Sequence, residues 1–506
     1  MQKFTLSLAH LQKRKEKKHF SLRYDIFGSY LMRELSTEDY FDFCFSYPRA
    51  ADRILIDGMF SGDWYSVYES AFLPRRKAAF LEKFQEKGID VFGEFLRKIQ
   101  GEGKECFLAY RISETAIDAK ENPIAAHAEH PDWFIPAFGY LMHNMAAKEL
   151  REHKLRVLEE VMRKYPFDGL DIDFERHTPI LPPGHQWEMR DCVTDFMRRL
   201  REMLCRIEEE TGRTVQLSAR VPDCLRGCHE DGLDIETWLR EDLVDALTMG
   251  SRSYDVHAED IRAIAPDLQL FACYELHHTL DGYALPPIEV VRGVFYSWQK
   301  RGADGVECFN WTGQGNLDTV RKYLERYNQD TAKHMELLSS KEDFRGAGDL
   351  AFLEGENKTY VVDRRGGYPW GVGFGNLNED KQLPLAVRGD GAVRFYLPED
   401  IAHYRKATLH LLLAETEERP ALFFGDTPLS YRASPKKDPQ ITTLASPPPS
   451  GYGIYYLLAE GKAEQKPCTL LEANLTGLHT EEGMLLLRIQ SAAPITVEKA
   501  EIHCEI

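Results

Sequence analysis

The sequence has no apolar run approaching the ~18 residues that a membrane-spanning helix needs, so no helix is expected to cross a bilayer. It is poor in positive charge. Sixty-three Lys and Arg stand against 81 Asp and Glu, a net charge of −18. Such a field repels nucleic acid and anionic membrane, although a local arginine cluster can still hold an anion in a pocket. Ten cysteines are present but none in CxxC spacing, which fits a reducing compartment and argues against a structural zinc site. There is no solenoid-range repeat and no low-complexity tract. The start, MQKFTLSLAHLQKRKEKKHF, places its basic residues after a short apolar patch rather than before one. No signal peptide is expected, and the chain reads as cytoplasmic; a signal already removed would make it secreted or periplasmic.

What is present is ordinary globular material, 43% hydrophobic and 28% charged over 506 residues. That length exceeds one hydrophobic core, so two or more domains are expected. From about residue 19 to 327, short apolar runs alternate with amphipathic helical stretches. Val193, Phe196, Met197, Leu200, Leu204 and Ile207 recur at helical spacing, as do Leu150, Val157, Leu158, Val161 and Met162. Eight candidate strands lie between such stretches, at 19–25, 53–57, 106–113, 169–175, 215–221, 246–252, 268–275 and 305–311. Repeating βα units in this number predict a (β/α)8 barrel over 1–330. The alternative, a doubly wound open sheet, wants a Gly-rich phosphate turn after its first strand, and Asp25-Ile26-Phe27-Gly28-Ser29 is not one. The polar stretch 331–349 reads as a linker. Beyond 350 the pattern turns to strand alternation, as in Val393, Phe395 and Leu397, which predicts an all-β sandwich of jelly-roll type to residue 506.

The sharpest local feature is Phe167-Asp168-Gly169-Leu170-Asp171-Ile172-Asp173-Phe174-Glu175-Arg176-His177. Alternation turns Leu170, Ile172 and Phe174 toward the helices, and Asp171, Asp173 and Glu175 toward the barrel interior, with His177 beyond the strand end. Three carboxylates on one face need arginine partners, a metal or shared protons. A plain structural role, with arginine or tyrosine satisfying Asp171 and Asp173 inside the barrel, is as good a reading for those two as a catalytic one. Other strands also end in polar residues. Arg23 and Asp25 close the first, Asp57 the second, Arg111 the third, and Arg220 the fifth with Asp223 just beyond. Arg252 closes the sixth, Tyr274 and Glu275 the seventh, and Asn310 and Trp311 the eighth. Carboxyl-terminal strand ends face the substrate loops in such barrels, so their convergence suggests a catalytic funnel.

The run FDGLDIDFERH resembles the fourth-strand signature of glycoside-hydrolase-like barrels. VQLSARVPD, GLDIETWLREDLVDALTMGSRS and PPIEVVRGVFYSWQKRGADGVECFNW look like a group of bacterial glycoside-hydrolase-like proteins. Those proteins also end in a β-sandwich after a YVVDRR-like join, matched here by Tyr360 to Arg365. A related architecture is that of the inverting (β/α)8-barrel sialidases, which use a His acid and an Asp base. The resemblance implies hydrolysis of a terminal sugar, with carbohydrate as partner; no cofactor or metal is expected. In a two-carboxylate scheme Glu175 is the acid, kept protonated by neighbouring negative charge, and Asp173 or Asp25 the base. In the sialidase-like scheme His177 donates the proton and Asp25 activates water.

Arg111, Arg220 and Arg252 suggest an acidic sugar, because guanidinium binds carboxylate bidentately. Asp171, Tyr274, Glu275, Asn310 and Trp311 complete the expected substrate contacts, the aromatics as stacking faces. An acid and base drawn from strands four and one leave room for water, which favours inversion. His127, His130 and His143 lack a compact metal spacing and read as surface or loop residues. Two other functions compete. One is a non-catalytic carbohydrate-binding protein, since a barrel does not prove activity. The other is a metal-dependent hydrolase using Asp171, Asp173 and Glu175 as ligands, although the sequence lacks a His-x-His entry.

Overall fold

The computed structural model describes residues 4–26, 35–45, 47, 49–58, 64–113, 129–137, 140–250, 253–275, 283, 286–309, 349–364, 381–443 and 464–506. Among these residues, ten strands precede residue 310: β1 (Phe20–Asp25), β2 (Arg53–Asp57), β3 (Glu105–Arg111), β4 (Phe134–Ala137), β5 (Tyr140–His143), β6 (Gly169–Asp173), β7 (Gln216–Val221), β8 (Ala246–Met249), β9 (Gln269–Glu275) and β10 (Gly305–Phe309). Eight of them pair in parallel as a closed barrel, in the order β1-β10-β9-β8-β7-β6-β3-β2. The remaining two, β4 and β5, form a separate antiparallel hairpin in the segment between β3 and β6. Every strand expected for the barrel is present. The hairpin is an addition, because its short runs carried no clear alternation.

The barrel forms because each strand has two faces with different tasks. Leu22, Ile54, Leu108, Leu170, Ile172 and Leu247 are fully buried and belong to the main hydrophobic core beneath the helices. The interior-facing positions are mostly polar. Among the described residues, Leu55, Phe107 and Ala109 make a separate small apolar cluster there. Phe107 fills the space in front of Gly169, where a Cβ would lie 2.4 Å from its ring. The helices outside are amphipathic, as expected for Lys148–Lys164 and Arg190–Thr211, whose buried residues include Leu150, Val157, Val161, Val193, Phe196 and Leu200.

The second domain is antiparallel, built from β11 (Lys358–Val361), β12 (Leu385–Leu397), β13 (Lys406–Ala414), β14 (Ala421–Phe424), β15 (Thr427–Leu429), β16 (Tyr431–Thr443), β17 (Glu464–Asn474) and β18 (Gly483–Glu505). Its described strands share one eight-stranded sheet, in which the 23-residue β18 pairs with β11, β12, β13 and β14. Most of the expected linker, residues 331–348, lies outside the described residues. The sheet seats on the barrel through β11, which lies against the helix Ile288–Lys300. Gly293 makes that approach possible, since a Cβ there would sit 2.3 Å from the Thr359 carbonyl oxygen. Asp363 completes the junction by gripping the loop after β8. It accepts from Ser253 Oγ at 2.7 Å and from the backbone N–H groups of Tyr254 and Asp255 at 3.0 Å.

The opposite, amino-terminal end of the barrel is held by the helix Leu8–Arg14. Its fully buried His10 lies between Glu208 (Nδ1 to Oε1, 2.8 Å) and Asp245 (Nε2 to Oδ1, 2.8 Å). Asp245 also takes Arg201 at 2.7 Å and Arg14 at 2.6 Å. Burial opposes a charge on His10, but the hydrogen bonds to Asp245 and Glu208 outweigh it and raise its pKa above the ordinary 6.5. A raised histidine adds stability that is fully present below pH 6.5 and is lost as pH rises through the folded-state value. His10→Gln should therefore destabilise the fold more at pH 6 than at pH 9. A difference of about 1.5–3 kcal/mol is expected, the scale of charge-assisted hydrogen bonds. Denaturant melts at the two pH values check this; an equal loss at both would show that the ring does not change its charge between them.

Candidate active site

The interior of the barrel carries a buried ionic layer. Arg23 on β1 pairs with Asp171 on β6, and its Nε donates to Glu307 on β10 at 2.9 Å. Asp171 also accepts from Ser218 Oγ on β7 at 2.6 Å. Above it, Arg220 on β7 grips Asp173 with two bonds, Nε to Oδ1 at 3.0 Å and Nη2 to Oδ2 at 2.7 Å. The Arg220 guanidinium lies 4.0 Å from the centre of the Phe309 ring. Two guanidinium groups thus face three carboxyl groups, so the balance closes when one carboxyl holds a proton. Glu307 is the group raised above its ordinary value, by burial first, with Asp171 adding to it against the pull of Arg23. Asp173 goes the other way. Burial works against its charge, but Arg220 and Arg23 overcome it and lower it to about 2.

Glu175 follows two residues later, beyond the carboxyl end of β6. Its backbone N–H donates to Asp173 Oδ1 at 2.9 Å, so the ionised aspartate anchors the turn that carries it. The side chain is 1% exposed. Its pKa stands well above the ordinary 4.5, through burial first and then the negative charge of Asp231, with Asp223 and Asp173 adding further and Arg220 opposing. Asp223, just past β7, is itself pushed up to about 6, mainly by burial. His177 is buried and takes φ +57°, a left-handed backbone that non-glycine residues seldom adopt outside constrained sites. Burial and the neighbouring Arg176 and Arg111 hold its imidazole well below 6.5, so it is neutral at neutral pH.

The expected site residues divide clearly. Glu175, His177 and Asp173 come together at the carboxyl end of the barrel. Asp25 ends β1 in register with Asp57; its side chain, like that of Glu275 on β9, lies outside the described residues. Arg252, Asn310 and Trp311 also lie outside them. Four expectations are corrected. Arg111 is not an open guanidinium but is buried and paired with Asp57 (Nε to Oδ2, 2.6 Å). Arg220 is occupied by Asp173. Asp171 belongs to the ionic layer, its oxygens taken by Arg23 and Ser218. Tyr274 points outward, as its even position on β9 requires, and meets Phe295 of the helix Ile288–Lys300 edge-on at 5.4 Å.

The metal-hydrolase reading meets the same obstacle. The oxygens of Asp171 and Asp173 are used by guanidinium, hydroxyl and backbone N–H donors, so this donor set does not fit a metal ion. Sequence reasoning missed Asp231 and Glu307, which sit in no recognisable motif, and it misjudged His143. That residue ends β5, is 2% exposed, and faces the ammonium of the fully buried Lys154, Nζ to Nδ1 at 2.8 Å. It is close enough to His177 to help lower its pKa. A signal was available in Lys154 itself, a charged residue on the apolar face of the helix Lys148–Lys164.

No known protein-family pattern matches the chain, and no curated protein does. Solved structures do. An α-L-fucosidase isoenzyme 2 from Paenibacillus thiaminolyticus shares 14% identity over 68% of this chain and 51% of that one, with a TM-score of 0.41. A GH36 α-galactosidase from Geobacillus stearothermophilus shares 12% over 94% and 56%, at 0.34. A glycoside hydrolase family 18 N-acetylglucosaminidase from Paenibacillus barengoltzii shares 13% over 57% and 67%, at 0.30. The chain spans about half the length of the fucosidase. At such identities and scores these likenesses assign no activity, and the fold stands on the barrel's own strand pairing.

The ionic layer makes a direct prediction. Arg220→Met leaves Asp173 as a buried charge short of its main partner, which typically costs ~3–5 kcal/mol. Thermal and denaturant unfolding should register that loss, whereas an arginine reserved for substrate would leave stability within about 0.5 kcal/mol of wild type.

Proposed function

We propose that the protein is a glycoside hydrolase in which Glu175 is the general acid. The observation that carries this is a buried carboxyl group, raised well above 4.5, at the carboxyl end of a barrel strand. A glycosidic oxygen leaves as an alcohol only if a proton reaches it, and a carboxylic acid still protonated near neutral pH supplies one. Asp173 is a poor base. At about 2 it is ionised but weakly basic, and both its oxygens are engaged. Asp25 is the better candidate, since β1 is three strand steps from β6 around the barrel. That separation favours space for a water molecule and hence inversion, whose carboxyl pairs stand ~6.5–9.5 Å apart.

The sialidase-like variant of this reading has less support. A neutral His177 lacks the acidic imidazolium proton that a leaving group needs. Selectivity for an acidic sugar needs a guanidinium not already committed to a carboxylate, and Arg111 and Arg220 are both committed. The role of His177 in the proposed reaction is then to accept or relay a proton beside Arg111 and Asp173.

Activity should fall as pH rises through the Glu175 value, because the deprotonated acid cannot protonate the leaving group. A panel of aryl glycosides, with a sialoside and a uronide among neutral sugars, finds the substrate. Glu175→Gln should keep the fold by circular dichroism while kcat drops ~10²–10⁴-fold and the alkaline limb of the pH profile disappears. A loss under tenfold removes Glu175 from the mechanism, and sugar binding without turnover in the wild type makes the protein a lectin-like binder. Proton NMR of the first-released anomer reads the stereochemistry, and retention refutes inversion.

A further inference from the structure

The C-terminal sheet carries a cluster of ligating side chains unconnected with the barrel. His410 lies on β13, directly opposite Glu501 on β18 and Glu472 on β17. His503 follows two residues after Glu501 on the same face of β18. The intervening Leu409, Leu411 and Ile502 point the other way and belong to the hydrophobic core. The two imidazole rings lie 4.1 Å apart, centre to centre, with their planes 38° from parallel. One nitrogen from each ring and one Glu501 oxygen all fall within 4.8 Å of one another. His503 Nε2 is 2.9 Å from Glu501 Oε2, and His410 Nε2 is 3.8 Å from Glu472 Oε1.

We propose that His410, Glu501 and His503 form a binding site for a divalent transition-metal ion of the zinc type, with Glu472 as a fourth donor. The donor chemistry selects the class of ion. Two imidazoles with one or two carboxylates suit zinc, cobalt, nickel or copper, whereas magnesium and calcium prefer oxygen alone. The geometry needs little change. Atoms sharing one ion at ~2.0–2.2 Å lie within about 4.4 Å of each other, a few tenths of an ångström inside the present limit. Side chains 17–35% exposed can make that adjustment without disturbing the strands.

The strands themselves are rigidly paired, so the donors are largely preassembled. Thr359 on β11 adds a second layer, its hydroxyl 3.4 Å from His503 Nδ1, which leaves Nε2 to face the ion. Among the described residues two cations compete. Arg432 Nη2 lies 3.2 Å from Glu472 Oε2, leaving the Oε1 that faces His410. Lys499 Nζ lies 3.6 Å from Glu501 Oε1 and 3.3 Å from Asp438, so it holds the carboxylate oxygen that the ion does not require. An ion here would replace the proton between His503 and Glu501 and tie β13 to β18.

The test uses the full-length protein stripped with EDTA and titrated with zinc chloride. One zinc per chain by calorimetry and elemental analysis is expected. His410→Ala and His503→Ala should each weaken binding by at least ~10–100-fold, the scale set by loss even of outer-layer partners, with circular dichroism unchanged. Cobalt(II) should give the visible absorption of a low-coordinate N/O site in wild type and lose it in either variant. A measurement without variants runs alongside. Zinc should protect His410 and His503, but not exposed His479, from diethyl pyrocarbonate, as read by peptide mass spectrometry. Binding below half an equivalent, wild-type affinity in both alanine variants, or equal modification with and without zinc would each overturn the proposal.

Discussion

The pairing of Arg220 with Asp173 inside the barrel is the interaction on which the site depends. Burying both groups is expensive, and ion pairs of this kind are often no more stabilising than apolar residues of the same volume. Their distinctive contribution is direction. A bidentate guanidinium fixes the plane of the Asp173 carboxylate, which leaves Oδ1 positioned to accept the Glu175 backbone N–H. Phe309 covers the guanidinium from another strand. Arg23, Asp171, Ser218 and Glu307 extend the layer across β1, β6, β7 and β10, so the floor beneath Glu175 is tied to half of the barrel strands.

From that floor upward the carboxyl groups change state over two residues. Asp173 lies against guanidinium groups and is ionised. Glu175 lies just beyond them, out of water and among other acids, and its carboxyl is driven toward the protonated form. Two carboxyls of the same chemical type are thus shifted in opposite directions by their surroundings. The same field acts on Asp223 at the end of β7 and on His177, each driven toward its neutral form.

The C-terminal sheet bears on this arrangement through the barrel's rim. Asp363 holds residues 253–255, which follow β8 at the carboxyl end where the acids gather. Arg301, from the barrel helix Ile288–Lys300 region, pairs with Glu259 at 2.8 Å and lies 4.6 Å from the Tyr396 ring of β12. Lys381, from the second domain, lowers the pKa of Asp223 against the effect of burial. The sheet is therefore part of the electrostatic setting of the mouth as well as a neighbour of it.

The barrel was legible in the sequence because its physics is local. A strand buried on its outer face under helices must alternate, and Leu170, Ile172 and Phe174 against Asp171, Asp173 and Glu175 display that alternation directly. The same parity would have placed Tyr274 outward had it been applied strictly to β9, where Phe271 and Cys273 face inward. What the sequence could not contain is which charge meets which. Arg23 reaches Asp171 across 148 positions, and Arg220 reaches Asp173 across 47, distances set only by barrel closure. An arginine at a strand end reads identically whether it awaits a sugar or holds an aspartate, because guanidinium serves both carboxylates equally well. The sequence by itself determined the eight strands, the inward acids of β6 and the antiparallel second domain. Tertiary structure alone decided that Arg111 and Arg220 are spent on Asp57 and Asp173 and that the Glu175 pKa is raised, since pairing and desolvation depend on neighbours brought together by folding.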